Sequence, residues 1–215
     1  MRLPIEVSEA VIDQAGDNVP SLCNLSLTCS AFLPRSRVHL FSGIHIGTVE
    51  RMESSRHFFD AHPWLLPLIR EVTLSFVPPE DYSKPNVRVL DVVPVHLLTR
   101  LPKLRSWTMR SETQTPDSRI SLSLHRSVLS IYWRHSSHIH TLHLSCLRFY
   151  CLTDFTGLVS AFTSIQNLTC YCIEFRRKDQ LESTPPWYVG AHCTGILSRP
   201  LQISSLSVSC RSTMI

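Results

Sequence analysis

The opening segment of the chain places apolar residues at helical spacing between helix-breaking residues. Val7, Val11 and Ile12 recur at helical spacing and form one apolar face, and Gly16 ends that pattern. Asn18 is a capping residue placed before a first-turn proline, Pro20, which predicts a second helix. A third short helix is predicted to follow. Three short helices bury little apolar surface by themselves. Part of this surface is therefore expected to contact another protein or the rest of this chain.

A different pattern recurs through the rest of the chain. Its form is an aliphatic residue, any two residues, an apolar residue, any one residue and a second apolar residue. The first residues of successive copies are 35, 35, 26 and 38 positions apart. Alternating apolar positions predict short strands with one buried face. The five copies begin at Ile69, Leu104, Ile139, Ile165 and Ile203.

Apolar residues at helical spacing precede two of these strands, at residues 95–101 and 155–162. A helix–strand unit has an apolar face that it cannot bury alone, whereas stacked copies bury a continuous core. The sequence therefore predicts an α/β fold. A three-helix module covers residues 1–45, and an irregular leucine-rich-repeat-like solenoid with parallel strands covers residues 46–215. Because no polar cap follows the last strand, we expect this array to be incomplete at its C-terminus.

The opening segment also carries a family pattern. Residues 3–7 are Leu-Pro-x-Glu-Val, residues 25–37 are Leu-Ser-Leu-Thr-Cys-Ser-Ala-Phe-Leu-Pro-Arg-Ser-Arg, and residues 40–41 are Leu-Phe. This arrangement resembles the F-box, and in particular the F-box-like proteins of mushroom-forming fungi. The sequence departs from the family pattern, which usually has valine, arginine and tryptophan, at Thr28, Ser30 and Phe32.

The resemblance implies a substrate-recruiting receptor of a cullin-RING ubiquitin ligase of the SCF type. An F-box binds a Skp-type adaptor, and through it a cullin, while the repeat region would bind a substrate protein. The implied protein is not an enzyme and has no cofactor. The adaptor-binding positions implied by the family, which act by apolar burial, are Leu3, Pro4, Ile5, Leu25, Leu27 and Phe32.

The residues alone leave a second interpretation open. Solenoids need terminal caps, so the three helices could serve only to cap the first strand. The chain would then be a non-catalytic repeat scaffold, and the same apolar side chains would face Val72 and Leu74.

The composition narrows the range of functions. The chain is 43% apolar and 18% charged, which is typical of a folded protein. No glycine-rich phosphate-binding string is present, and the net charge of +4 is spread along the chain, so we expect no nucleic acid partner. No apolar stretch reaches membrane-spanning length, so we expect no membrane partner. Eight cysteines without an export signal indicate reduced thiols in the cytoplasm or nucleus.

Two clusters contain residue types that bind metals. Histidines lie at positions 135, 138, 140 and 143, but strand alternation places His140 and His143 on opposite faces. Cys170 and Cys172 are expected to share a strand face, with no second cysteine pair at ligand spacing. We therefore expect no metal site in either cluster. Trp187 is expected to lie exposed in a proline-rich loop.

Overall fold

Short parallel strands alternate with helices in the computed structural model, which describes residues 4–16, 18–76, 92–112, 121–122, 124–175 and 205–209. The strands are β1 (Gly43–Ile46), β2 (Glu71–Phe76), β3 (Ser106–Ser111), β4 (Ser121–Leu122), β5 (Thr141–Ser145), β6 (Arg148–Phe149), β7 (Asn167–Tyr171), β8 (Glu174–Phe175) and β9 (Ser205–Ser209). One sheet has the order β1-β2-β3-β5-β7-β9, and a smaller sheet has the order β4-β6-β8. Every pair is parallel.

Helices connect these strands, as parallel pairing requires. The α-helices of the described residues are α1 (Ile5–Gln14), α2 (Val19–Thr28), α3 (Leu33–Leu40), α4 (Val49–Ala61), α5 (Arg126–His135) and α6 (Leu152–Ala161). A 3₁₀-helix (Pro63–Leu68) leads into β2, and a π-helix (Pro94–Leu98) precedes β3. In the same way α5 precedes β5 and α6 precedes β7. The fold is therefore mixed α/β with a parallel sheet.

All five strands expected from the repeated pattern are present, as β2, β3, β5, β7 and β9. The two expected helical segments are also present, as the π-helix and α6. The strand β1 was not expected, and it pairs with β2 from Gly43 onward. The sheet thus includes residues that the sequence pattern assigned to the helical module.

The register of the large sheet aligns equivalent residues of successive strands. Trp107 pairs with Val72 on one side and with Leu142 on the other, and all three side chains are fully buried. Beneath this row the Trp107 ring meets Tyr132 of α5 edge-on, at 5.6 Å between centroids. Tyr132 in turn lies 4.8 Å from the ring of Phe162. Burying side chains of this size contributes about 1.5–3 kcal/mol each, so this layer is a main source of stability.

Two cysteines turn the chain from the large sheet towards the small one. Cys146 follows β5 and Cys172 follows β7, with φ values of 55° and 56°. These lie in the left-handed region, which residues other than glycine rarely adopt. The expectation that Cys170 and Cys172 share a strand face is therefore wrong. Strand alternation stops at Tyr171, the last residue of β7.

The three N-terminal helices begin where the sequence predicts. The Asn18 side chain accepts a hydrogen bond from the backbone N–H of Ser21 at 3.0 Å and caps α2. Ile12 of α1 and Leu22 of α2 are buried, but neither belongs to the continuous core around the sheet. These helices thus have a small interior of their own.

An aromatic cluster joins the end of α3 to the sheet region. The ring of Phe41 lies 6.4 Å from both Phe58 of α4 and Trp64 of the 3₁₀-helix. The Arg37 guanidinium sits 5.0 Å from the centre of the Trp64 ring, a cation–π contact. In the part of the chain that the structure describes, no helix has the length and apolar character needed to cross a membrane.

Candidate docking surfaces

An ion-pair network holds α1 against α3. The Arg35 guanidinium donates two hydrogen bonds to the Asp13 carboxylate, each 2.7 Å long, and His39 Nε2 lies 2.7 Å from Asp13 Oδ1. The hydrogen bond from Arg35 is the main cause that holds the pKa of Asp13 well below its usual value, and the hydrogen bond with His39 adds to it. The hydrogen bond to Asp13 in turn raises the pKa of Arg35. The two helices therefore present their outer faces in a fixed relative orientation.

Three of the six expected adaptor-binding positions are exposed in this segment. Leu27 is 85% exposed and Ile5 is 64% exposed, although both are large aliphatic side chains. Pro4 is exposed, and Leu25 and Phe32 are half-buried. Leu3 lies outside the described residues. Uncovered apolar side chains are thus present at Ile5 and Leu27, whereas Leu25 and Phe32 are partly covered by their own chain.

The same helices expose further apolar residues beyond the expected adaptor-binding positions. Val7 and Val11 belong to the same apolar stripe of the sequence as Ile12, yet Val7 is 46% exposed and Val11 48% exposed, whereas Ile12 is buried. Their i, i+4 spacing places them together on the outer side of α1, whereas Ile12 points inward. Ala10 and Gln14 lie beside them, and together they line a shallow open groove. Ser8, which lies four residues before Ile12 on the same side of α1, is buried with it.

A second surface is the face of the large sheet that lies opposite the apolar core. Alternate strand residues point to this face, and most are hydroxyl-bearing or charged. The central row crosses five strands in register and consists of His45, Thr73, Thr108, His143 and Thr169. These side chains can donate and accept hydrogen bonds, so the face is suited to contact polar groups of a partner.

A hydrogen-bonded network lies at the C-terminal ends of the first three strands. The hydroxyl of Ser75, which is fully buried, accepts a hydrogen bond from Arg110 Nε at 2.9 Å and lies 2.5 Å from His45 Nε2. Glu112 Oε1 lies 3.9 Å from His45 and 4.0 Å from Arg110. Burial lowers the pKa of His45, and the nearby positive charge of Arg110 lowers it further. A neutral imidazole can accept a hydrogen bond from the Ser75 hydroxyl, whose oxygen in turn accepts one from Arg110. The network therefore positions the Arg110 guanidinium.

Neither the cluster of four histidines nor the Cys170 and Cys172 pair forms a metal site among the described residues. No group of three or more histidine, cysteine or acidic side chains is arranged to hold a metal among the described residues. His140 is instead hydrogen-bonded through Nδ1 to the carbonyl oxygen of Ser164, at 3.2 Å. Burial raises the pKa of the Cys170 thiol to about 11, which keeps it protonated and poorly nucleophilic. Trp187 lies outside the described residues.

The described chain therefore offers two surfaces that are suited to binding: apolar positions on the N-terminal helices, and a polar face on the parallel sheet. The first surface is suited to apolar burial and the second to hydrogen bonding. In comparisons with known proteins, no family model, no curated protein and no solved structure matches this chain.

Proposed function

We propose that the chain is a substrate-recruiting F-box receptor of an SCF-type cullin-RING ubiquitin ligase. In this proposal the N-terminal helices bind a Skp-type adaptor, and a leucine-rich-repeat-like solenoid binds a substrate protein. The observation that carries the proposal is the exposure of Leu27 and Ile5 on helices that have their own small interior. Each such side chain contributes about 1.5–3 kcal/mol when a partner buries it.

The adaptor surface in this proposal consists of the positions that match the family pattern. Ile5 begins α1, Leu25 and Leu27 lie in the last turn of α2, and Phe32 directly precedes α3. The ion pair between Asp13 and Arg35 fixes α1 relative to α3, which lowers the entropy lost on binding. The proposed surface also includes Leu3 and Pro4.

The proposed solenoid is supported by the order and spacing of the strands. Successive strands of the large sheet add in chain order and in a constant register, as stacked repeats do. A helical segment precedes each of β2, β3, β5 and β7. The polar outer face of this sheet is the surface that we assign to the substrate protein.

The scaffold alternative, in which the helices only cap the solenoid, is favoured by one contact. The aromatic cluster of Phe41, Phe58 and Trp64 joins α3 to the sheet region. However, that alternative places the exposed apolar side chains against Val72 and Leu74. Both of those residues belong to the core of the sheet, whereas Leu27 and Ile5 remain exposed. The receptor proposal accounts for this exposure and the capping alternative does not.

Adaptor capture tests the proposal. The full chain is incubated with an immobilised Skp-type adaptor, and bound protein is quantified for the unmodified chain, Leu27→Asp and Ile5→Asp. We expect each substitution to weaken capture about tenfold or more, because a charge then replaces a buried apolar contact. Both sites are exposed, so circular dichroism should show an unchanged fold.

Val95→Asp is the matched control, because Val95 is an exposed valine of the sheet region. It should leave capture unchanged. The proposal is overturned if the unmodified chain does not bind the adaptor, or if Val95→Asp weakens capture as much as Leu27→Asp does.

A further inference from the structure

Basic residues occupy equivalent positions at the N-terminal ends of three neighbouring strands. Arg70 precedes β2, Arg105 precedes β3 and His140 precedes β5. Their backbones are adjacent, because the N–H of Arg105 donates to the carbonyl of Arg70 at 2.8 Å and the N–H of His140 donates to that of Arg105 at 2.9 Å. Lys103, also exposed, lies two residues before Arg105. We call these four residues the basic edge.

Some arginines of the described chain have a carboxylate partner, whereas others, including Arg70, Arg105 and the α5 residues Arg126 and Arg134, form no ion pair among the described residues. Arg35, Arg100 and Arg148 each have a carboxylate oxygen within 3.0 Å. Arg70 and Arg105 are both exposed, and within the described residues no carboxylate oxygen lies within 4.0 Å of either guanidinium. Glu71 is the acidic residue next to them in sequence, and it forms no ion pair with them.

Like charges on neighbouring strands destabilise a sheet, so this arrangement carries an energetic cost without a compensating partner inside the described chain. An anionic group bound across Arg70 and Arg105 would remove the repulsion and gain charge-assisted hydrogen bonds. The basic edge adjoins the N-terminal ends of the strands that carry the polar sheet face, whose hydroxyl groups can bond a polypeptide backbone.

We propose that the basic edge binds an acidic segment, rich in aspartate or glutamate, of the substrate protein. This inference rests on the proposed receptor function and adds the chemical class of segment that is recognised. Nucleic acid fits less well, because its binding depends on neutralising many phosphates and the edge supplies only three permanent cations.

Fluorescence anisotropy of a labelled peptide of alternating glutamate and serine tests this proposal. The peptide is titrated with the full chain and its variants in the absence of adaptor. We expect saturable binding that weakens when the salt concentration rises from about 0.05 to about 0.3 M, because screening shortens the range of the attraction. Arg70→Gln/Arg105→Gln should weaken it about tenfold, since two charge-assisted contacts are lost.

The matched control is Arg126→Gln/Arg134→Gln, which removes the same charge from α5. It should leave peptide binding unchanged. The proposal is overturned by an unmodified chain that shows no saturable binding, by an equal loss in the control, or by tighter binding of a single-stranded oligonucleotide of the same length. Adaptor capture is measured on the same samples. If capture persists while peptide binding is absent, only this inference fails; if capture is absent, the receptor function itself fails.

Discussion

Asp13 and Arg35, which are 22 residues apart in sequence, form a two-point ion pair with both hydrogen bonds at 2.7 Å. The pair links the end of α1 to the beginning of α3. His39, one turn further along α3, contacts the same carboxylate. The relative placement of the two helices, and of the apolar residues on them, thus depends on the charge of one carboxylate.

The Asp13 pair predicts that the helical module loses stability in acid. The pKa of Asp13 in the folded chain lies below its usual value of 3.8, chiefly because of the hydrogen bond from Arg35. A lowered pKa stabilises the fold above pH 3.8, and this contribution is lost as the pH falls through the folded value. The unfolding temperature should fall between pH 7 and pH 2, and Arg35→Gln should make that fall smaller. An unchanged acid dependence in Arg35→Gln would contradict the assignment.

Gly16 is predicted to be required at the contact between α1 and α3. A Cβ at this position would lie 2.9 Å from the carbonyl oxygen of Asp13 and 3.0 Å from Nδ1 of His39. Gly16→Ala should therefore destabilise the chain by about 1–3 kcal/mol, as overpacking does. Urea unfolding at neutral pH measures the difference.

Gly157 provides the control for that substitution. It lies inside α6, and an added Cβ would meet only Leu129 Cδ1, at an ordinary 3.7 Å. Gly157→Ala should stabilise the chain by about 0.5–1 kcal/mol, because alanine favours a helix. If Gly16→Ala proved as stable as the unmodified chain, α1 and α3 would have moved apart at little cost to make room for the added methyl group.

Trp107 is predicted to be the most sensitive core position of the sheet. It is fully buried between β2 and β5, and its ring meets Tyr132 edge-on. Trp107→Ala should cost about 3–5 kcal/mol in the free energy of unfolding. Trp107→Phe should cost clearly less, since it keeps a ring and removes an indole N–H that has no hydrogen-bond partner among the described residues. Equal losses in the two variants would contradict this packing.

The strands were predictable because their signal is local. In each repeated string, alternation alone identifies the inward residues, as with Leu142 and Leu144 of β5, and both are buried. The missed strand β1 fits the same string, as Phe41-x-x-Ile44-x-Ile46, with an aromatic residue in the first position. Because Phe41 is aromatic where the other copies have an aliphatic residue, and because it also fits the end of the F-box pattern, β1 was not predicted.

The orientation of α1 was not predictable from spacing. Val7, Val11 and Ile12 fit one apolar stripe, yet only Ile12 faces inward. The choice of side depends on α3, which brings Arg35 and His39 to Asp13 from more than 20 positions away. The basic edge was hidden for the same reason, because Arg70 and Arg105 become neighbours only through strand pairing.

His138 is predicted to make the sheet region less stable in mild acid. Burial is the main cause that lowers its pKa from 6.5, the nearby His140 and His135 lower it further, and a backbone hydrogen bond at Leu101 opposes the shift. Nε2 of its ring is buried and has no hydrogen-bond partner among the described residues, so a proton there gains no acceptor. The folded state therefore prefers the neutral ring. The stabilisation that comes from the neutral His138 ring is fully present above pH 6.5. It is lost as the pH falls through the lower pKa that His138 has in the folded chain.

Urea midpoints measured at pH 7.5, 6.5 and 5.5 test this assignment. The unmodified chain should lose stability towards pH 5.5, and His138→Gln should lose less, because the proton-binding group is gone. His57→Gln, which removes an exposed imidazole from α4, is the control and should keep the slope of the unmodified chain. If His138→Gln keeps that slope as well, the acid sensitivity arises elsewhere, and His45 on the sheet face, whose pKa is also lowered by burial, becomes the next group to replace.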